Sequence, residues 1–223
     1  MEQFSEKGFV FLKSIYQPEI LQVILKEWMD FYIEHNIQGH LNKREDSKTE
    51  YFYVNNTFSL LNSFQKQQFY YLPVIDNCGT HDRITDIGKI NVFNVQKILP
   101  SIHKIDLLLQ LSIINKLTDK EWKLNNINLQ IYNNVQNPKQ YHFEQSLDMI
   151  KYTIYLSSLR ENYNGPLSYI EKTHKDKKFT NQQIKILHGE MGDVIITNQK
   201  GFHRRIPQKN SISYFLQFHF LQK

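Results

Sequence analysis

Gly192-Asp193-Val194-Ile195-Ile196-Thr197-Asn198-Gln199-Lys200-Gly201-Phe202-His203 passes from a turn through an apolar, β-branched run into a polar hairpin loop and ends on a histidine. A run of this kind bounded by Gly and Asn reads as a strand. The same texture repeats on both sides of it, at 127–133, 140–145, 151–159, 167–171, 184–188, 193–197 and 211–221. Turn formers stand between the runs: Asn133-Asn134, Asn137-Pro138, Asn162 to Pro166, Gly189 to Gly192 and Pro207 to Asn210. Closely spaced strands with no helix among them predict an antiparallel sandwich or a closed barrel over the second half of the chain.

The first half reads differently. Residues 18–35 open at Pro18 and place Ile20, Leu21, Ile24, Leu25, Trp28 and Phe31 at helical spacing. A weaker helical pattern covers roughly 57–72, and 101–117 reads as a third helix behind Pro100. The expected organisation is one domain over 1–223. Its first part, 1–122, is mainly helical with an N-terminal strand, and its second, 123–223, is a β core against which the helices pack.

The chain has 223 residues, 40% of them apolar and 13% aromatic, with eight glycines and six prolines. That composition supports a packed core and excludes fibrous and disordered classes. No apolar run approaches the roughly 20 residues of a membrane span, and the start Met1-Glu2-Gln3-Phe4-Ser5-Glu6-Lys7 lacks the order of a signal peptide, so a cytoplasmic protein without membrane contact is expected. The one cysteine, Cys78, excludes an internal disulfide and a thiolate-rich zinc site, so a metal here needs histidine and carboxylate. A net charge of +5 suits an anionic small molecule better than nucleic acid, because the basic residues are scattered and the run from Lys172 to Lys178 is interrupted by Thr173, His174 and Asp176. Nothing in the sequence sets an oligomeric state.

Tyr141-His142-Phe143-Glu144 is the strongest chemical feature. On a strand, side chains two apart share a face, so His142 and Glu144 point into one cavity as neighbouring metal ligands do. Leu187-His188-Gly189-Glu190 repeats the spacing but flanks a Gly-rich turn and reads as turn residues. In an antiparallel roll His203 enters on a strand beside the pair. Two imidazoles and one carboxylate then face one ion and leave other positions open for substrate and dioxygen, as non-haem iron(II) oxygenases require.

Several stretches together resemble the phytanoyl-CoA dioxygenase family of Fe(II)/2-oxoglutarate oxygenases. They are Phe9-Val10-Phe11-Leu12-Lys13 after Glu6-Lys7-Gly8; His142-Phe143-Glu144; Asn164-Gly165-Pro166-Leu167-Ser168-Tyr169-Ile170 leading to Thr173-His174-Lys175; and Gly192-Asp193 before His203. The likeness runs over most of the chain and is densest from about Leu129 to the end. It implies a mainly β fold with flanking helices, built on a double-stranded β-helix (jelly-roll, cupin-like) core. It also implies Fe(II) held by His142, Glu144 and His203, with 2-oxoglutarate and dioxygen as cosubstrates, and oxidation of a small molecule, by default hydroxylation of a C–H bond.

Three departures from the family pattern stand out. The usual His-x-Asp pair is His142-x-Glu144, a longer but equally hard oxygen ligand. The arginine that members carry about ten residues past the distal histidine, to grip the far carboxylate of 2-oxoglutarate, is absent from Ile212-Ser213-Tyr214-Phe215. Arg205, two residues beyond His203, is the candidate substitute, with Tyr132 and Tyr214 as hydroxyl donors; the competing reading makes Arg204 and Arg205 surface charges. Third, the short chain has little material for substrate-covering insertions. The missing arginine also motivates a different function: a metal- or ligand-binding descendant without oxygenase activity. His40, His81 beside Asp82, and His103 read as surface residues, His174 as a loop-shaping residue and His219 as structural. The aromatic stretches Tyr51-Phe52-Tyr53 and Phe69-Tyr70-Tyr71 read as core or helix-face residues.

Overall fold

The computed structural model describes residues 2–37, 50–54, 57–61, 74–77, 88–144, 148–160 and 164–223. His40, Phe69-Tyr70-Tyr71, Cys78, His81 and Asp82 lie outside them. The elements in chain order are α1 (Glu2–Lys7), β1 (Phe9–Leu12), α2 (Pro18–Glu34), β2 (Glu50–Val54), β3 (Thr57–Leu61), β4 (Val74–Asn77), β5 (Lys89–Phe93), α3 (Leu107–Thr118), β6 (Trp122–Asn133), β7 (Met149–Tyr155), β8 (Leu167–Ile170), β9 (Ile184–Leu187), β10 (Val194–Asn198), β11 (His203–Arg205) and β12 (Ile212–Gln222).

Nine of the described strands form one sheet in the order β1-β10-β7-β12-β6-β5-β4-β2-β3, and β11-β8-β9 form a second. An isolated antiparallel bridge between His142 and His203 adds the segment around 142 to the edge of the small sheet. From β6 onward the chain alternates between the two sheets: β6 large, the 142 segment small, β7 large, β8 and β9 small, β10 large, β11 small, β12 large. That alternation is the double-stranded β-helix, and it encloses a space between the sheets.

Period-two patterning decides what each sheet face buries. On β12, Leu216, Phe218 and Phe220 join Ile150, Tyr152 and Ile154 of β7 and Val194 and Ile196 of β10 in one cluster. Leu21, Ile24, Trp28 and Phe31 of α2 cover that cluster, at the spacing read from the sequence. Burying each such side chain contributes roughly 1.5–3 kcal/mol, which holds the helices to this face of the large sheet. The opposite face carries Tyr132, Tyr155, Ile195 and Phe215, which pack with Tyr169 and Leu187 of the small sheet. Further along, the same inward face turns polar.

Two expectations need correction. The stretch read as helical at 57–72 is a strand where described, Thr57–Leu61, paired with β2. A short apolar run carries too few turns for its period to separate helix from strand, and cross-strand pairing decided it. With β2, β4 and β5, this strand extends the large sheet through the first half, which is therefore not helical throughout. The helix expected at 101–117 begins later, because Pro100–Lys104 is a 3-10 turn and Asp106 caps α3 by accepting from Leu109 N–H at 3.0 Å. Among the described residues no helix is long and apolar enough to cross a membrane.

Candidate functional site

His142 and His203 meet at the open end of the space between the sheets. Each donates its backbone N–H to the other's carbonyl, at 3.1 and 2.9 Å, and the ring centroids lie 4.6 Å apart. The two rings are held in the same way. His142 Nδ1 lies 2.9 Å from Gln140 O and His203 Nδ1 lies 2.9 Å from Gly201 O, in each case the carbonyl two residues upstream. A carbonyl only accepts, so each Nδ1 carries the proton and each Nε2 keeps its lone pair. Burial, and then the charge of nearby lysines, lowers the pKa of His142 and sets that of His203 well below the usual histidine range. Both rings are neutral near neutral pH, the form in which imidazole binds a metal.

The motif residues around the pair are its scaffold. Thr173 Oγ1 accepts Phe202 N–H at 2.8 Å and donates to Ile170 O at 2.7 Å, so the loop after β8 fixes the residue preceding His203. Gly201 packs against Tyr169, where an added Cβ would stand 1.8 Å from the hydroxyl. Asp193 accepts Ser14 N–H at 2.8 Å and Glu190 N–H at 2.9 Å, tying the turn before β10 to the chain after β1. His174 reaches Ser5 O at 3.0 Å and His219 is buried on β12, so both are structural, as read. His103 is exposed. His188 reaches Leu159 O at 3.1 Å and Glu190 pairs with Arg160, in keeping with turn roles.

Glu144 is placed differently from the expectation. Its N–H donates to Gln199 O at 2.9 Å and its charge acts on His142 and Lys151, yet it does not line the cavity. Among the described residues no three of His, Cys, Asp and Glu stand together as metal ligands. The predicted strand at 140–145 is only a bridge at His142, so no continuous pleat forces residue 144 onto the face of residue 142. Two neutral imidazoles with unprotonated Nε2 atoms are donors of the kind a divalent ion takes. The carboxylate is the part not in place.

Arg205 is not a surface charge. It is 8% exposed, its Cζ lies 3.6 Å from the Phe215 ring centroid and 5.2 Å from that of Tyr132, and its Nη1 has no hydrogen-bond partner. Arg204 also lines the cavity and lies over the ring of Tyr141 at 4.5 Å. Tyr132 lines the cavity and donates to Gln130 Oε1 at 3.2 Å. Tyr214 does not belong to the site: it sits one residue out of phase with Phe215 and packs with the helix-side cluster.

The sequence reading missed Lys151. It lies on β7, two residues before Thr153, and lines the cavity with His142, His203 and Arg205. Burial pushes its ammonium down to about 8, against the pull of Glu144. The signal was a lysine at an inward position of Met149-Ile150-Lys151-Tyr152-Thr153-Ile154-Tyr155, between apolar residues that face the helices. Gln130, Thr153, Thr197, Gln199 and Gln217 add a polar wall, and no aspartate or glutamate among the described residues lines the cavity.

Fold and cavity together define a double-stranded β-helix with a paired-histidine, cation-lined mouth. Solved structures share this fold over 99% of the chain. AviO1 from Streptomyces viridochromogenes Tue57 matches with a TM-score of 0.63 at 13% identity, over 92% of its own length. SnoK, a non-haem α-ketoglutarate-dependent carbocyclase from nogalamycin biosynthesis, matches at 0.64 and 10%, over 81% of its length. HygX from Streptomyces hygroscopicus, solved with nickel, 2-oxoglutarate and hygromycin B bound, matches at 0.57 and 10%, over 85% of its length. No protein-family model and no curated protein sequence matches the chain. At these identities the likeness defines the fold.

Proposed function

We propose that this protein is a non-haem Fe(II)/2-oxoglutarate-dependent oxygenase acting on a C–H bond of a small metabolite or natural-product intermediate. The observation that carries the reading is one cavity in which two neutral histidines with free Nε2 atoms face a buried arginine without a counter-ion. The sequence motifs ally the chain with the phytanoyl-CoA dioxygenase family.

In this reading His142 and His203 hold the metal through Nε2. Glu144, whose charge already acts on His142, supplies the carboxylate by turning its side chain inward. When bound, the iron and 2-oxoglutarate together supply the oxidising power. Arg205 pairs with a carboxylate of the cosubstrate and takes the part of the absent last-strand arginine, because its guanidinium lies over Phe215 on that strand. Tyr132 braces the guanidinium from the side. The amide and hydroxyl wall orients a polar substrate, and the apolar packing behind it keeps water from the reacting groups. Hydroxylation is the default outcome; the carbocyclase neighbour makes ring closure the other candidate.

Of the alternative, a metal- or ligand-binding protein without oxygenase activity, the displaced Glu144 favours the metal-free, ligand-binding form. Metal titration separates the two. Stoichiometric Mn(II) binding that is lost in His142→Ala and in His203→Ala supports the oxygenase site. Binding retained in full by either variant sinks it.

A further inference from the structure

Among the described residues four cations line the cavity, Lys89, Lys151, Arg204 and Arg205; Arg204 donates to Gln140 Oε1 at 3.4 Å and Lys89 stands over the Tyr132 ring. Arg205 reaches in from β11 and stacks on Phe215 of β12. Lys151 stands on β7 opposite His219 of β12 and Thr197 of β10. Phe215 and His219 are separated by about 13 Å of strand, so the two cations rise from separate positions along the large sheet toward the cavity that His203 lines. Neither Lys151 nor Arg205 has an ion-pair or side-chain hydrogen-bond partner among the described residues, and Arg205 Nη1 is both buried and unpartnered. Unpaired charge in a buried site is costly unless a ligand supplies the counter-charge. These two unpartnered cations, with no carboxylate among the described residues of the cavity wall, ask for two negative groups on one molecule.

We infer that Lys151 and Arg205 form a two-point grip for a short dicarboxylate, and that the grip fills without the metal and before it. This rests on the proposed 2-oxoglutarate site and adds Lys151 and an order of binding to it. A dication entering the cavity first meets like charges from Lys89, Lys151, Arg204 and Arg205. A dianion entering first reverses that field and prepares the histidine pair for the metal. The keto group, which serves only to chelate metal, is dispensable for this step. Glutarate is therefore the probe that separates the grip from chelation.

The test is calorimetric titration of the full chain after EDTA treatment with glutarate, 2-oxoglutarate and valerate, a monoacid of the same length. The expected result is that both diacids bind with similar affinity and valerate binds about tenfold more weakly or worse, the cost of one charge-assisted contact. Lys151→Met weakens glutarate by about tenfold or more, and Lys151→Arg restores most of the loss. In a parallel titration Mn(II) binds the wild type more tightly with glutarate present. The inference is overturned by diacid binding that appears only after Mn(II) is added, by valerate matching glutarate, or by a folded Lys151→Met protein that binds glutarate like the wild type. Diacid binding without any Mn(II) binding keeps the grip and removes the oxygenase reading; the reverse pattern removes the grip alone.

Discussion

His142 and His203 are joined twice over: each backbone N–H donates to the other's carbonyl, at 3.1 and 2.9 Å, and both rings are oriented by a carbonyl two residues upstream. The histidine pair is thus built into the bridge that attaches the 142 segment to the small sheet. Residues that hold that bridge should matter as much as the histidines.

Gly201 is the clearest case. Its carbonyl orients His203, and a Cβ there collides with the hydroxyl of Tyr169, which itself donates to Asn198 O at 2.9 Å. Gly201→Ala should cost about 1–3 kcal/mol of stability, the usual price of overpacking. Equilibrium unfolding in urea measures it. The double variant with Tyr169→Phe removes the colliding oxygen and should recover part of the loss; identical losses in single and double variants would show that the clash is not the cause.

Arg205→Met should separate stability from binding. Removing an unpaired buried cation relieves desolvation, while its stacking on Phe215 and Tyr132 is worth about 0.5–2 kcal/mol. These terms oppose one another, so the ligand-free melting temperature should hold steady or rise. The stabilisation that 2-oxoglutarate confers on the wild type should vanish. A variant that melts well below the wild type and still gains stability from 2-oxoglutarate would contradict the assignment.

Acid should destabilise the ligand-free protein through His203 and His219. Both are buried, and burial holds their pKa values well below the usual range. Between the depressed folded value and the unfolded value of about 6.5 the unfolded chain binds more protons, so stability is complete above about pH 6.5 and falls as pH drops below it. Each group adds a slope of up to about 1.4 kcal/mol per pH unit. Denaturation midpoints from pH 7.5 to 5 read the slope, and His219→Gln should reduce it; an unchanged slope in that variant would rule out His219 as a source.

The roll itself was legible because β6 to β12 are short apolar or β-branched runs with turn formers between them and no helix among them. Strands β2 to β5 were not, since runs as short as Thr57–Leu61 carry no decisive period and take their form from pairing, β3 with β2 and β5 with β4 and β6. His142 and His203 were legible from motif order. Glu144 was misplaced by assuming an unbroken pleat after His142. Lys151 was invisible because a lone lysine in a strand reads as exposed, and only the assembled sheet shows that its face is the inner one. Tyr214 failed by one residue of phase.

The most direct test of the central claim is the visible absorption of the anaerobic protein on adding Fe(II) and 2-oxoglutarate. The account predicts a weak charge-transfer band in the wild type that is missing in His142→Ala and His203→Ala. No band in the wild type at millimolar 2-oxoglutarate, or a band that survives in either variant, would contradict it.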